Sequence, residues 1–289
     1  LASVVGEKSF SRASQKLHIT QSAVSQRISE LERLIGRPLL IRSPEIRPTA
    51  TGQEILSHFR KVSMLEEEVK SRWLNKNHSS GPQIISIALN TETLSTWFIE
   101  SVLPIVSLGH VLIDLLIDDQ ERTVEQLRTG RVWGAITSIA KPPHGCTSSF
   151  IGNMIYRCVA TPGFIEKYFA KGISSQTLLN APAAIYGEAD YMHDNYLKRY
   201  FKKYGEGKPM VHHVPSPQGL VEFAVKGLAF ALLPEPSIKD FLKNKHLIDL
   251  LPDKPYKLPL YWQTQELQTN FTQELSQRIV NFGKSILES

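Results

Sequence analysis

The side chains with most to offer a partner crowd into one stretch, TQSAVSQRISELER, residues 20 to 33. Thr20, Gln21, Ser22, Ser25, Gln26, Arg27 and Arg33 are of kinds that pair with nucleobase edges and their surroundings. Glutamine suits adenine bidentately, arginine suits guanine, and serine suits either. A second set follows at Arg42, Arg47 and Thr49, whose residue types suit phosphate oxygens; such contacts fix a position and carry no sequence information. Covalent chemistry has no comparable foothold. The nine histidines are scattered, His212 and His213 are expected on opposite faces of a strand, and His144 with Cys146 matches no ligand spacing. His193 and Asp194 do not face each other on a helix. H-E-x-x-H, G-x-S-x-G, P-loop and G-x-G-x-x-G motifs are absent from the sequence. The expectation is a binding protein without catalytic residues, metal or cofactor.

These side chains need elements to hold them. Phe10, Ala13, Ser14 and Leu17 recur at helical spacing and predict a short helix from Ser9. HIT interrupts it, and Thr20 or Ser22 suits the N-cap of a second helix. There Val24, Ile28, Leu31 and Ile35 form one buried stripe, the polar set lies mostly on the other side, and Gly36 ends the helix. RPLLIRSPEIRPTATG then reads as two short strands about a turn containing Pro44. Two helices, a tight turn and a pair of strands describe a winged helix-turn-helix; an ordinary amphipathic surface helix is the plain alternative. Charge suggests a polyanion partner for this segment, with a solvated, slightly basic surface an equal reading. Residues 1 to 51 hold eight bases against four acids, so this sixth of the chain carries +4 of the net +5.

From Thr51 to Leu74 the pattern stays helical, with a seam of Ile55, Phe59, Val62, Leu65 or Glu66, Val69 and Trp73 that suits a core or a pairing helix. NKNHSSGPQ, residues 75–83, has the polar, Gly-Pro character of a hinge. Beyond it IISIALN, VLIDLLI, WGAITSI, MIYRCVA, APAAIY, MVHHVP, LAFALLP and LPLYW read as strands separated by helical runs. That alternation predicts α/β architecture with a mostly parallel sheet. Ligands in such sheets sit where strands end and helices begin. TETLST, residues 91–96, is such a place, offering Thr93, Ser95, Thr96 and backbone N–H groups to a carboxylate; simple N-capping is an equal reading. Thr137 and Ser138 end the third strand similarly, and Ser216 and Gln218 open a helix across the expected cleft. Two cysteines make no disulfide framework, no stretch reaches the roughly 20 apolar residues of a membrane span, and no signal-like start is visible. A reducing cytoplasm fits. The chain opens at Leu1 in mid-pattern, as a truncated N-terminus would.

ITQSAVSQRISELERLIGRPLLIR followed by RPTATGQEIL resembles the DNA-binding domain of LysR-type transcriptional regulators. The shared pattern joins an A-S-x-x-L helix, a T-Q-S-A-V-S core, an L-E helix end, a G-x-P-L-L-x-R wing and a T-x-x-G exit. The resemblance implies base contacts by Gln21, Ser22, Ser25 and Arg27, phosphate contacts by Arg42 and Thr49, and a linker helix that pairs two subunits antiparallel. It also implies a two-lobed effector domain like a periplasmic binding protein. The expected divisions are 1–58 for the winged helix-turn-helix, 59–82 for linker helix and hinge, and 83–289 for the effector domain. Within the last, lobe I takes 83–153 and 256–289, and lobe II takes 154–255. TLSTW, ERT at Arg122, EKYF at 166–169 and LYW at 260–262 resemble a lysine- and arginine-sensing subgroup. A cationic side chain needs a buried or half-buried carboxylate; Asp119 and Asp190 are the candidates, with Glu92 and Glu188 behind them. Gly187 and Tyr191 stand where that subgroup implies acids, which leaves a different small effector open, as well as an architectural DNA-binding protein without one. The implied partners are double-stranded DNA, a small effector (lysine or arginine), RNA polymerase at the promoter, and further copies of the chain in a homodimer or homotetramer, with no membrane.

Overall fold

The computed structural model describes residues 1–73, 83–109, 111–118, 120–188 and 190–288. The expected hinge, residue 83 apart, and Asp119 lie outside these described residues. The chain begins with α1 (Ala2–Glu7) and α2 (Phe10–Lys16), the second opened by the Ser9 hydroxyl accepting from the Arg12 N–H. α3 (Gln21–Ile35) is opened by Thr20, whose hydroxyl accepts from the Ala23 N–H at 3.2 Å, and closed by Gly36 in the left-handed region. Val4, Ala13, Val24, Ile28 and Leu40 make a small core. The expected stripes are therefore buried only in part: Leu17 is 45% and Ile35 37% exposed, because so small a module has too little surface to cover both ends of its helices. β1 (Leu40–Ile41) and β2 (Arg47–Pro48) pair antiparallel as a wing.

α4 (Ala50–Trp73) runs unbroken through residue 58, so the division expected there falls inside a helix. Leu56 on it is buried, whereas Phe59 is 51% exposed and Val62 is exposed beside it. The side chains of Leu65, Val69 and Trp73, the rest of the expected seam, lie outside what is described.

The remaining strands form one nine-stranded sheet. β3 (Gln83–Leu89) lies parallel between β4 (Val111–Ile117) and β5 (Gly134–Thr137). β7 (Ala183–Ile185) lies parallel between β8 (Val211–His213) and β9 (Phe230–Pro234). The expectation of a mostly parallel sheet thus holds inside each half. The halves are joined by an antiparallel pair, β6 (Cys146–Ala160) and β11 (Tyr256–Gln265), flanked by β5 and β9, with β10 (Ile248–Asp249) added on β6. Antiparallel pairing follows from the path, since one strand carries the chain out and the other brings it back. The register of that pair shifts between Leu260 and Tyr261, opposite Gly152 at φ 147°. A Cβ there would lie 2.6 Å from that of Leu287, so the bend accepts only glycine.

Helices cover the sheet: α5 (Thr91–Thr93), which continues through a π turn (Leu94–Phe98) into α6 (Ile99–Val106); α7 (Gln120–Arg128); α8 (Pro162–Phe169); α9 (Ser175–Asn180); α10 (Tyr191–Tyr200); α11 (Pro217–Val225); α12 (Glu235–Lys243); and α13 (Asn270–Ile286). One apolar cluster runs from Ile85, Trp97 and Trp262 in the first half to Phe164, Tyr196 and Phe230 in the second. Each such buried aromatic contributes on the order of 2 kcal/mol or more from lost water contact. Among the described residues no helix is long and apolar enough to cross a membrane.

Candidate functional site

α3 turns Gln21, Ser22, Gln26, Arg27 and Arg33 to solvent, with Ser25 half-buried beside them. None of these six side chains has a hydrogen-bond or ion partner among the described residues. Ser25, Gln26, Ser29, Glu30 and Arg33 line one shallow concavity. Glu30 was not anticipated, although its place one turn beyond Gln26 put it on the same face. A carboxylate there can accept from the cytosine amine. Thr20 differs from the rest, because its hydroxyl is committed to capping the helix.

The phosphate set is already engaged. Arg42 Nη2 lies 3.4 Å from Glu32 Oε2, and its guanidinium sits over the Phe10 ring at 5.5 Å. Glu32 Oε1 also accepts from the Leu39 N–H at 2.8 Å, tying the end of α3 to the wing. Arg47 Nε is 3.8 Å from Glu45, which also takes Lys8 Nζ at 2.7 Å. The Lys8 ammonium, with a smaller push from Arg47, holds the Glu45 carboxyl below its usual range. Exposed pairs of this kind contribute little in water and exchange readily for other anions. The Thr49 hydroxyl donates to the Pro38 carbonyl at 2.8 Å and accepts from the Gly52 N–H at 3.1 Å, so it fastens the start of α4 to the wing.

In the α/β domain several expected ligand contacts are spent on the backbone. Asn90 caps α5, its Oδ1 accepting from the Thr93 N–H at 2.9 Å, and Thr93 is buried. The hydroxyls of Ser95 and Thr96 turn back to the Glu92 carbonyl at 3.1 and 2.7 Å. Their place on the π turn explains this, since a widened turn leaves carbonyls for side-chain donors. Thr137 is buried with its Oγ1 accepting from the Ile139 N–H at 3.2 Å, and Ser138 beside it is half-buried. Ser216 caps α11, accepting from the Gly219 N–H at 3.1 Å, and Gln218 and Glu188 are exposed. Tyr191 is 69% exposed.

Asp190 caps α10 with both oxygens, Oδ1 accepting from the Met192 N–H at 3.1 Å and Oδ2 from the Tyr186 N–H at 3.2 Å. Its charge reaches Tyr156, a buried residue on β6 whose ring packs edge-on to that of Tyr256 at 6.0 Å. Burial first, then Glu92, Tyr256 and Asp190, push the Tyr156 hydroxyl well above its ordinary range. Glu92, from the β3–α5 corner, and Asp190, from the start of α10, thus act on one hydroxyl from the two halves of the sheet. Two negative charges of this kind disfavour the phenolate and keep the buried phenol neutral. Tyr156 escaped the sequence reading, since only the register of β6 on β11 shows what it faces.

His193 is wholly buried on α10, 5.4 Å from the Phe230 ring, with neither nitrogen hydrogen-bonded. Burial lowers its pKa to about 4, with Asp190 and Asp194 opposing, so it is a neutral core residue. Among the described residues no group of three or more His, Cys, Asp or Glu is placed to hold a metal ion.

Comparison with known proteins accounts for both parts. Residues 1–53 match the bacterial regulatory helix-turn-helix protein, lysR family, and residues 108–282 match the LysR substrate binding domain. The HTH-type transcriptional regulator ArgP of Photobacterium profundum is 37% identical over 287 residues, covering 99% of this chain and 96% of the relative. The crystal structure of ArgP from Mycobacterium tuberculosis superposes with a TM-score of 0.89 at 29% identity, over 100% of this chain and 96% of that one. Full-length LysG from Corynebacterium glutamicum with bound effector Arg gives 0.80 at 30% identity, over 99% and 96%. These relatives are named as regulators, not enzymes. With both parts matched and the fold shared over its length, this chain belongs to the LysR family of bacterial helix-turn-helix transcriptional regulators.

Proposed function

We propose that this regulator adjusts its hold on operator DNA in response to a cationic amino acid, L-arginine or L-lysine, bound between the lobes of its effector domain. The observation that carries the reading is Asp190, held at the head of α10 by the Tyr186 and Met192 N–H groups, with Glu92 offered as the second carboxylate. A guanidinium or ammonium entering there meets two carboxylates, one of them already oriented by backbone N–H groups. The likeness to LysG holding Arg, and to regulators named ArgP, supports the same chemistry. Residues 1–58 form the DNA-binding module in this reading, 59–82 the linker, and 83–289 the effector domain, with lobe II at 154–255. Gln21, Ser22, Ser25 and Arg27 touch bases, while Arg42 and Arg47 exchange their carboxylates for phosphates. The protein acts in the cytoplasm as a homodimer or higher oligomer paired through α4, and RNA polymerase is met at the promoter. Specific affinity falls in the range of about 10⁻⁸ to 10⁻¹¹ M, with steep salt dependence. The effector shifts the equilibrium only by binding two subunit arrangements unequally.

Thermal unfolding of the full chain with each of the twenty amino acids tests this. A ligand at one hundred times its dissociation constant adds about 2.7 kcal/mol. A raised midpoint with arginine or lysine alone supports the cationic reading; a rise with another amino acid, or with none, removes it.

A further inference from the structure

α4 carries Gln53, Ser57 and Arg60 on one face, spaced by four and three residues. All three meet the turn that follows α7. Gln53 Nε2 donates to the Thr129 carbonyl at 2.9 Å, and Arg60 Nη1 donates to the Gly130 carbonyl at 2.8 Å. Between those bonds Gly130, at φ 63°, rests on Ser57 so closely that a Cβ would overlap the serine side chain and lie 2.8 Å from its Cα. Ser57 is buried there, as is Leu127 one turn back on α7. Carbonyls just past the C-terminus of α7 are thus satisfied by side chains 76 and 70 residues earlier in the sequence. That end of a helix carries partial negative charge, which favours the arginine.

The turn is also one end of a short, rigid element. β5 begins at Gly134, is buried throughout, and ends at Thr137 beside Ser138. At about 3.3 Å per residue its four residues span roughly 13 Å. Gly134 is pinned, since a Cβ on it would overlap the Trp262 ring. A strand packed this tightly passes on a displacement instead of absorbing it.

We propose that Arg60 and Gln53 are positioning residues: they dock the DNA-binding module on the α7–β5 turn, so that effector occupancy at the far end of β5 sets where α3 is held. The proposal rests on the effector reading above for its signal and on the α4 contacts alone for the dock.

The test uses the full chain, a duplex selected from random DNA by the wild-type protein, and L-arginine. Arginine affinity is read by calorimetry, and DNA affinity is read with and without saturating arginine. Arg60→Ala should leave arginine affinity within about twofold while shrinking the arginine-induced change in DNA affinity roughly fivefold or more. Gly130→Asn, which tolerates the backbone angle but wedges against Ser57, should do the same. Arg60→Lys, keeping a donor, should restore part of the response. Wild-type coupling in Arg60→Ala and Gly130→Asn overturns the proposal. So does a loss of arginine affinity as large as the loss of coupling, which would make the residues supports of the cleft. If the wild-type protein binds no arginine, the effector reading falls alone and amide exchange decides the dock. Segment 50–60 should then exchange about three to ten times faster in Arg60→Ala than in wild type, and equal rates end the proposal. Arg60 lies on a helix surface, so its variant carries the test even where Gly130→Asn does not fold.

Discussion

The outer face of α3 and the polar groups at the helix starts of the α/β domain are built on opposite plans. On α3, Gln21, Ser22, Ser25, Gln26, Arg27 and Arg33 have no partner among the described residues. Around the cleft Asp190, Thr96 and Ser216 are already bonded to backbone. The difference fits the partners proposed above. A reader of a polymer meets many wrong sequences for each right one, and side chains left to water reject a mismatch by staying there. A pocket for one small cation gains most when its carboxylates are held in place beforehand, because ordering them then costs nothing at binding.

The strongest way to break that contrast is to remove one oriented charge. Asp190→Asn keeps a good N-cap and should weaken L-arginine binding by about 2–5 kcal/mol, with effector-free DNA affinity unchanged. Glu92→Gln should act alike. Calorimetry showing wild-type binding in both would take the two carboxylates out of the effector site.

Acid should separate the two regions next. His193 has a folded pKa of about 4, below its ordinary 6.5. As pH falls the unfolded chain takes up this proton first, so the stability His193 contributes is present above about 6.5 and is lost toward about 4. The slope reaches about 1.4 kcal/mol per pH unit. Urea midpoints from pH 7 to 4.5 should flatten in His193→Phe, and parallel curves for the two proteins would show that another group governs the acid limb.

On the DNA side, Arg27→Ala should cost about 1–3 kcal/mol on a selected duplex and relax choice at one position. Arg42→Ala should weaken selected and random duplexes alike, partly by freeing the wing from Glu32 and Phe10. Equal losses on both duplexes for Arg27→Ala would move it from the base-reading set to the phosphate set. The smallest effect is at Glu45. Glu45→Gln releases Lys8 and Arg47, and the slope of log affinity against log salt should steepen by about one unit for each cation that reaches a phosphate. An unchanged slope would place both cations away from DNA.

The module was legible because its signals are local. Thr20, Gly36, the TQSAVS face and the wing each announce themselves within a few residues. The bond of Thr49 to Pro38 was not legible, because that partner is eleven residues back and across the wing. Ser95 and Thr96 misled because a π turn leaves no mark on helical periodicity. The first half of β6, CTSSFIGN, was missed for want of an apolar run, since its early residues are only partly covered. Tyr156 finds its neighbour Tyr256 only through the register of two strands about a hundred residues apart. The dock of Arg60 on Gly130, 70 residues along the chain, is likewise beyond anything a local pattern encodes.

Tyr156 and Tyr256 stand opposite each other on neighbouring strands. The chain therefore departs for the second half of the sheet and returns at points about 5 Å apart. In genetic terms the segment between them is a cassette. An exchange at that pair carries Asp190 with it while Glu92 and α3 stay behind, and it has to fit the apolar core that the two halves share. In the reading proposed above, such an exchange alters the effector site and leaves the α3 face as it was.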